Sequence, residues 1–350
     1  MAKVTLQTIA DVVGVSRMTV SNAYSRPDQL STDLRERILT TAAELGYAGP
    51  DPKARALARG STGAVGVLLT GSLRYAFTDA IATQFLGALA QELGPTGLAL
   101  TLLPSFEVED VMPSRDVAMD GAVVYAMELQ SEAVQWLHRR KLPMAYVDQP
   151  PEPGTDCVNI DDRGGGRAAA NHLLELGHQR IGIVTNGLPH PFGLVDAADL
   201  RPRYYVNTER IGGWMDGLDT AGVNPVVVHA DGRVYDAARL LMALPKRPTG
   251  LLCFSDAMVH EVYKAADDAG LRVPADISIV GFDDARFAQH MRPALTTVAQ
   301  DVTEKGRAAA VALRAAMARS LDPVGAPPPQ HAMLATELVV RASTAPPDPT

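Results

Sequence analysis

Residues 5–22 read TLQTIADVVGVSRMTVSN, and this stretch decides the architecture of the N-terminus. Leu6, Ile9, Ala10 and Val13 recur at the spacing of one helix face. Gly14 supplies a tight turn, after which a second short helix begins. Thr5 and Ser16 precede the two helices, where a hydroxyl can accept from a free backbone N–H one turn on. A third helix follows, with Leu34, Ile38, Ala42 and Leu45 on one face, Ser31 or Thr32 as its cap and Gly46 at its end. Three short helices with a tight turn between the first two make a helix-turn-helix, so residues 1–49 are expected to form a small all-α head.

On the second helix Arg17, Met18, Ser21 and Asn22 share a face, while Val20, Ala23 and Tyr24 can turn to the core. That outward set suits a DNA major groove. Arg can bond a guanine edge bidentately, Asn an adenine edge, and Met can touch a thymine methyl. Thr19 or Ser21 would hold phosphates, and Thr5 and Ser16 at the helix starts belong to the same DNA-facing set. The alternative is an ordinary solvated face.

Outward from the head, residues 50–61 contain Pro50, Pro52 and the run Lys53 to Arg59, with high helix propensity but one large apolar residue, Leu57. A helix this short is unstable alone, so it is expected to order against a partner surface. From Val65 on, short apolar strands (VGVLL, LALTLL, GAVVY, PMAYV, RIGIV, PVVV, GLLCF, ISIVGF) alternate with helical stretches at 78–93, 131–140, 164–176, 208–221, 233–244 and 256–269. This alternation predicts parallel sheets with crossover helices, and the strand number predicts two α/β lobes. The Pro-rich tail 342–350 is expected to be disordered.

Bulk properties agree with a globular multidomain chain: 350 residues, 47% hydrophobic and 21% charged. Net charge is −8, yet residues 1–60 carry eight Lys/Arg against six Asp/Glu, a net of +2 that leaves −10 on the remainder. A mildly basic head can bind a polyanion while the acidic body limits unspecific adhesion. The start lacks a secretory signal and no run is long enough to span a bilayer, which predicts a cytoplasmic, nucleoid-associated protein. Cys157 and Cys253 have neither disulfide-framework nor zinc spacing and read as buried small apolar side chains; no cofactor or metal is expected.

The 5–22 stretch, together with Leu30-Ser31, Leu45-Gly-Tyr47 and the ARAL run from Ala54 to Leu57, resembles the head and hinge of the lactose/galactose repressor (LacI/GalR) family. The body resembles it too, in Asp120-Gly-Ala-Val-Val, Leu174-Glu-Leu-Gly-His-Gln-Arg-Ile181, Arg210-Ile-Gly-Gly-Trp214, Ser255-Asp256-Ala-Met258, Leu271 through Asp284, and Leu295-Thr-Thr-Val298. The resemblance covers the chain to about residue 341. It implies a transcriptional regulator, a repressor rather than an activator, binding a near-palindromic operator as a homodimer. It also implies a periplasmic-binding-protein-like (type I) body of two doubly wound lobes over residues 62–341, with a small-molecule effector between them. Lobe one would comprise 62–160 and 293–320, and lobe two 161–292 and 321–341. In the hinge, Ala54 and Leu57 share a face, and paired Leu57 side chains from a dimer would wedge a minor-groove base step. Packing of Leu57 on a lobe is the alternative. Asn22 stands where the family commonly has Arg, and Ser255 where it usually has Asn.

The same resemblance places effector candidates at strand ends, where open α/β sheets bind ligands: Phe77, Asp148, Arg210, Ser255, Asp256 and Asp283. Carboxylates and Arg bond adjacent hydroxyls, and an aromatic face covers ring carbons. A carbohydrate or sugar phosphate is the expected effector, with a nucleobase or nucleoside as the alternative. A strand-end Asp such as Asp256 is as often a cap or turn former. Residues 187–207 are longer than is usual in the family and predict a cleft lid or a surface loop. Rival classes fit poorly: a solute-binding protein would carry no DNA head, Gly164-Gly165-Gly166 is no nucleotide fingerprint, and His172 and His178 lack metalloenzyme spacing. The glycine triplet reads more simply as a close approach of helix to sheet.

Overall fold

A computed structural model describes residues 4–70, 73–107 and 109–348, apart from the side chains of residues 52, 53 and 58. The chain divides into two compact units, residues 1–63 and 64–350.

The first unit contains α1 (Leu6–Val13), α2 (Arg17–Ser25), α3 (Thr32–Glu44) and α4 (Pro52–Arg59). Thr5 caps α1, Ser16 caps α2 and Ser31 caps α3, each hydroxyl accepting the backbone N–H three residues on. Gly14 and Gly46 take left-handed conformations, with φ of 77° and 72°, which a side chain would strain. Ile9, Ala10, Val20, Ala23, Ile38 and Ala42 interlock as the core. The Arg35 Nε donates to the Ala23 carbonyl at 3.3 Å, tying α3 to α2. The hinge stretch, expected to order only on a partner, is already helical in the single chain. Its Ala-rich composition suits a helix, and the Arg55 N–H closes the first turn on the Asp51 carbonyl.

The body runs β1 (Ala64–Leu69), α5 (Leu73–Thr78), α6 (Ala80–Leu93), β2 (Ala99–Leu103), α7 (Pro113–Asp116), β3 (Ala122–Tyr125), α8 (Glu132–Arg139), β4 (Met144–Val147) and β5 (Asp156–Ile160). The chain then crosses over to α9 (Asp162–Glu175), β6 (Ile181–Thr185), β7 (Gly193–Val195), α10 (Tyr205–Thr220), β8 (Val226–His229) and α11 (Val234–Met242). After β9 (Gly250–Cys253), α12 (Asp256–Asp268), β10 (Ser278–Asp283) and β11 (Thr296–Gln300) it returns through α13 (Val302–Leu321) to β12 (His331–Leu334), and ends in β13 (Thr336–Val339).

Two sheets result, ordered β12-β5-β4-β3-β1-β2 and β13-β11-β10-β9-β6-β8-β7. The first is parallel throughout, and in the second only the edge strands β7 and β13 run antiparallel. Each lobe therefore winds outward in both directions from a central pair, β1 beside β3 and β6 beside β9. The carboxyl ends of such a pair form a ready crevice.

Three expectations are corrected. Strand β11 belongs to the second sheet and β12 to the first, so residues 296–300 lie in lobe two and 331–334 in lobe one, the reverse of the expected division. Crossovers consequently fall near residues 161, 301 and 335. The segment 187–207 is neither plain lid nor plain loop, since Gly193–Val195 pairs antiparallel with β8 and caps the sheet edge. The tail is not disordered as far as residue 348. Ser343 is wholly buried, its hydroxyl donating to the Ile279 carbonyl at 2.6 Å and accepting the Thr296 N–H at 2.8 Å. His178 bonds the Ala345 carbonyl and the Thr249 hydroxyl, at 3.0 and 2.9 Å, beneath the same segment. The segment also takes up backbone groups of the lobe, its Ser343 carbonyl accepting from the Ile279 N–H at 2.9 Å. Cys157 and Cys253 are buried free thiols, as their apolar strand contexts suggest. No helix among the described residues is long and apolar enough to cross a membrane.

Candidate functional site

In the head, α2 turns one face toward solvent. Arg17 and Met18 are exposed, Met18 to 69%, whereas Val20 and Ala23 on the opposite face are buried. Thr19, Ser21 and Asn22 are half-buried along the rim of that face. Ser16 and Thr19 share a hydroxyl bond of 2.8 Å, and Thr5 pairs with Thr8 in a reciprocal cap, so these hydroxyls anchor helix starts in the free chain. The Asn22 amide donates to the Gln29 carbonyl oxygen at 3.2 Å. Gln29, in the turn after α2, was not foreseen; it orients the residue expected to read a base. On α4, Leu57 is 87% exposed and Ala54 is exposed as well.

The body contains a cavity of about 620 Å³, lined from both lobes by residues at strand carboxyl ends. This size is typical of small-molecule sites. From lobe one come Tyr75, Asp79, Tyr125, Asp148 and Lys305; from lobe two come Asp162, Tyr204, Asn207, Arg210, Phe254, Ser255, Asp283 and Gln300. Asp148 follows β4 with φ of 56°, and Asp283 ends β10 with φ of 116°, conformations rarely taken by a residue with a Cβ. Such turns swing a carboxylate off the strand end into the cavity.

Arg210 is the hub of the lobe-two wall. Its Nε and Nη2 lie 3.0 and 2.8 Å from Asp162 Oδ1, its Nη1 lies 3.5 Å from Asp283 Oδ1, and Nη1 also donates to the Phe254 carbonyl. The guanidinium sits 3.5 Å above the Phe282 ring centre and 4.7 Å from that of Phe254. Burial works against its charge, but Asp162 and Asp283 overcome this and raise its pKa above the ordinary value. Burial also pushes the Asp162 and Asp283 carboxyls up to about 6, with Arg210 opposing the rise in both. The Gln300 amide donates at 2.7 Å to the same Asp283 oxygen, Oδ1, that faces Arg210.

This placement depends on two glycines. A Cβ at Gly166 of α9 would fall 2.5 Å from the Arg210 carbonyl, and one at Gly165 would fall 2.7 Å from Val298 of β11. Their absence lets α9 press against both α10 and the sheet, as the glycine triplet suggested, and brings Asp162 under Arg210. The lobe-one wall is simpler. Lys305 is 2% exposed, its Nζ 3.0 and 3.3 Å from the two oxygens of Asp148 and 5.9 Å from the Tyr125 ring centre.

Of the expected effector residues, Asp148, Arg210, Ser255 and Asp283 line the cavity, and Phe77 and Asp256 do not. Phe77 is 70% exposed on α5, and Tyr75, two residues earlier, takes the wall position instead. Asp256 turns inward at the start of α12, accepting from Thr297 Oγ1 at 2.7 Å and from the Ala285 N–H at 2.8 Å. It braces β11 and the turn after β10; burial, then Asp283, pushes its carboxyl up to about 8. Sequence reading missed Asp162 and Lys305. The signals existed: Asp162 closely follows β5 as Asp148 follows β4, and Lys305 interrupts the buried stripe Val302, Gly306, Ala309 and Leu313 of α13.

With this geometry in hand, likeness to known proteins is informative. Residues 5–49 match the description "Bacterial regulatory proteins, lacI family", and residues 170–344 match "Periplasmic binding protein-like domain". An HTH-type transcriptional regulator of Mycolicibacterium smegmatis is 38% identical over 99% of this chain and 97% of its own. A crystal structure of a LacI family regulator from Corynebacterium glutamicum is 31% identical, with a TM-score of 0.70 over 99% of this chain and 100% of that one. The transcriptional regulator CelR in complex with cellobiose is 25% identical, with a TM-score of 0.69 over 97% of this chain and 100% of that one.

Proposed function

The chain belongs to the LacI family of bacterial regulatory proteins and is a DNA-binding transcriptional regulator; from that premise we propose an effector-controlled repressor. The protein acts as a homodimer on a near-palindromic operator, one head per half-site. Arg17, Met18 and Asn22 read base edges, Thr19 and Ser21 hold phosphates, and Leu57 enters the minor groove. The effector is a polyhydroxylated small molecule, a sugar or sugar derivative, which the protein binds and releases without chemical change.

The observation that carries this reading is the cavity itself. Both lobes contribute walls at the carboxyl ends of their central strands, with charged and aromatic side chains on each. A ligand touching both walls favours one spacing of the lobes over another, and only such differential contact can shift an equilibrium. A coupling of about 1–3 kcal/mol between effector and operator makes a useful switch.

The test has two stages. Selection from random DNA should return a near-palindromic site bound by the dimer, and a thermal-shift screen of sugars should then return a compound that also changes affinity for that site. Equal affinity for all DNA sequences would refute the operator reading. A cavity ligand without effect on operator binding would refute the regulatory one.

A further inference from the structure

We propose that the cavity takes an uncharged, hydroxyl-rich ligand and rejects the phosphate ester of that same ligand, so that the protein senses the compound before a phosphoryl-transfer reaction consumes it. This rests on the effector reading above and narrows it. Among the described residues, four carboxylates, Asp79, Asp148, Asp162 and Asp283, line the cavity against two cations, Lys305 and Arg210. Both cations are committed to these same carboxylates, Lys305 to Asp148 and Arg210 to Asp162 and Asp283. An incoming phosphate therefore meets an excess of negative charge and no cation waiting for it.

Hydrogen-bonding character points the same way: the wall carboxylates are acceptors, which a ligand hydroxyl can supply with a donor and a phosphate dianion cannot. Low effective dielectric in the cavity magnifies the penalty for adding like charge.

The experiment uses the full-length protein and matched pairs, D-glucose with glucose 6-phosphate and D-ribose with ribose 5-phosphate. Cellobiose, a series of alditols and inorganic phosphate complete the panel, with affinity measured by calorimetry and thermal shift. At least one neutral compound should bind, its ester roughly 100-fold more weakly or not at all, and inorganic phosphate should leave the melting temperature unchanged. Exclusion by bulk alone is separated by Asp79→Asn, which keeps a side chain able to cap α6 where Asp79 now accepts the Ala82 N–H. Removing that charge should narrow the ratio of neutral to ester affinity roughly tenfold, and added salt should narrow it further in both proteins.

An ester or inorganic phosphate binding as tightly as the neutral compound overturns the inference, as does a panel in which no neutral member binds or a ratio that ignores Asp79→Asn. Operator affinity measured beside each titration tells the two failures apart. If the ester is preferred and operator binding responds, the charge inference fails alone. If the neutral compound is preferred and operator binding does not move, it is the regulatory reading that fails.

Discussion

The outer face of α2 and the lobe-two wall of the cleft use related side chains under opposite conditions. Arg17 stands exposed on a short helix whose position is set by caps and a small core, while Arg210 is 3% exposed and held between two carboxylates, a carbonyl and two aromatic rings. The difference teaches what each site has already spent. A groove-reading face leaves Arg17 and Met18 open to solvent and holds Asn22 only by an exposed bond to Gln29, so it contributes little to folding. A buried effector wall commits its charge during folding, so damage to it registers first as lost stability and only then as lost binding.

The strongest attempt to break that contrast is Arg210→Ala. It leaves Asp162 and Asp283 buried without the cation they share, which should cost about 3–5 kcal/mol in urea unfolding and abolish effector response. A loss below about 1 kcal/mol would mean that the wall is not a folding element. By contrast, Asn22→Ala should leave unfolding unchanged while relaxing discrimination at one operator position by about 1–3 kcal/mol per half-site. Titrations against operators varied one base pair at a time check this, and equal losses on every sequence would rule out base readout. Leu57→Ala should weaken operator binding by up to about 2 kcal/mol, the scale of burying one leucine, with effector affinity intact. Unchanged operator affinity would sink the minor-groove wedge.

A pH-dependent test sharpens the comparison inside the body. Asp256 has its folded pKa raised from 3.8 to about 8, chiefly by burial. A carboxyl raised in this way contributes stability that is complete below pH 3.8 and is lost as pH climbs through about 8. The wild type should therefore lose more stability between pH 5 and 8 than Asp256→Asn does, measured by unfolding of both proteins in the same buffers. Parallel pH curves would show that Asp256 is ionised throughout.

Much of this was readable one residue at a time. Caps at Thr5, Ser16 and Ser31, left-handed glycines at 14 and 46 and the helical spacing around Ile9 and Ile38 are local signals, each complete within about one helix turn. Asp148, Ser255 and Asp283 reached the cavity because a strand end in a parallel sheet has one direction to face, whereas Arg210 reaches it from within α10. Phe77 lies outside the cavity lining; α5 is six residues long, too short for periodicity to say which side turns inward. Asp256 lies outside it because a strand-end carboxylate can brace its own lobe as readily as line the cleft.

Chain order alone therefore determined the helix-turn-helix, the alternation of strands and helices and the class of protein, since each depends on interactions among near neighbours. Tertiary structure decided which sheet receives β11 and β12, where the tail packs and how the cleft's charges are shared. Asp162 and Arg210 are separated by 48 residues, and Asp148 and Lys305 by 157. No local pattern links such partners. They meet because the crossovers near residues 161 and 301 route α9 and α13 to their places, and because Gly165 and Gly166 let α9 pack without a side chain in the way.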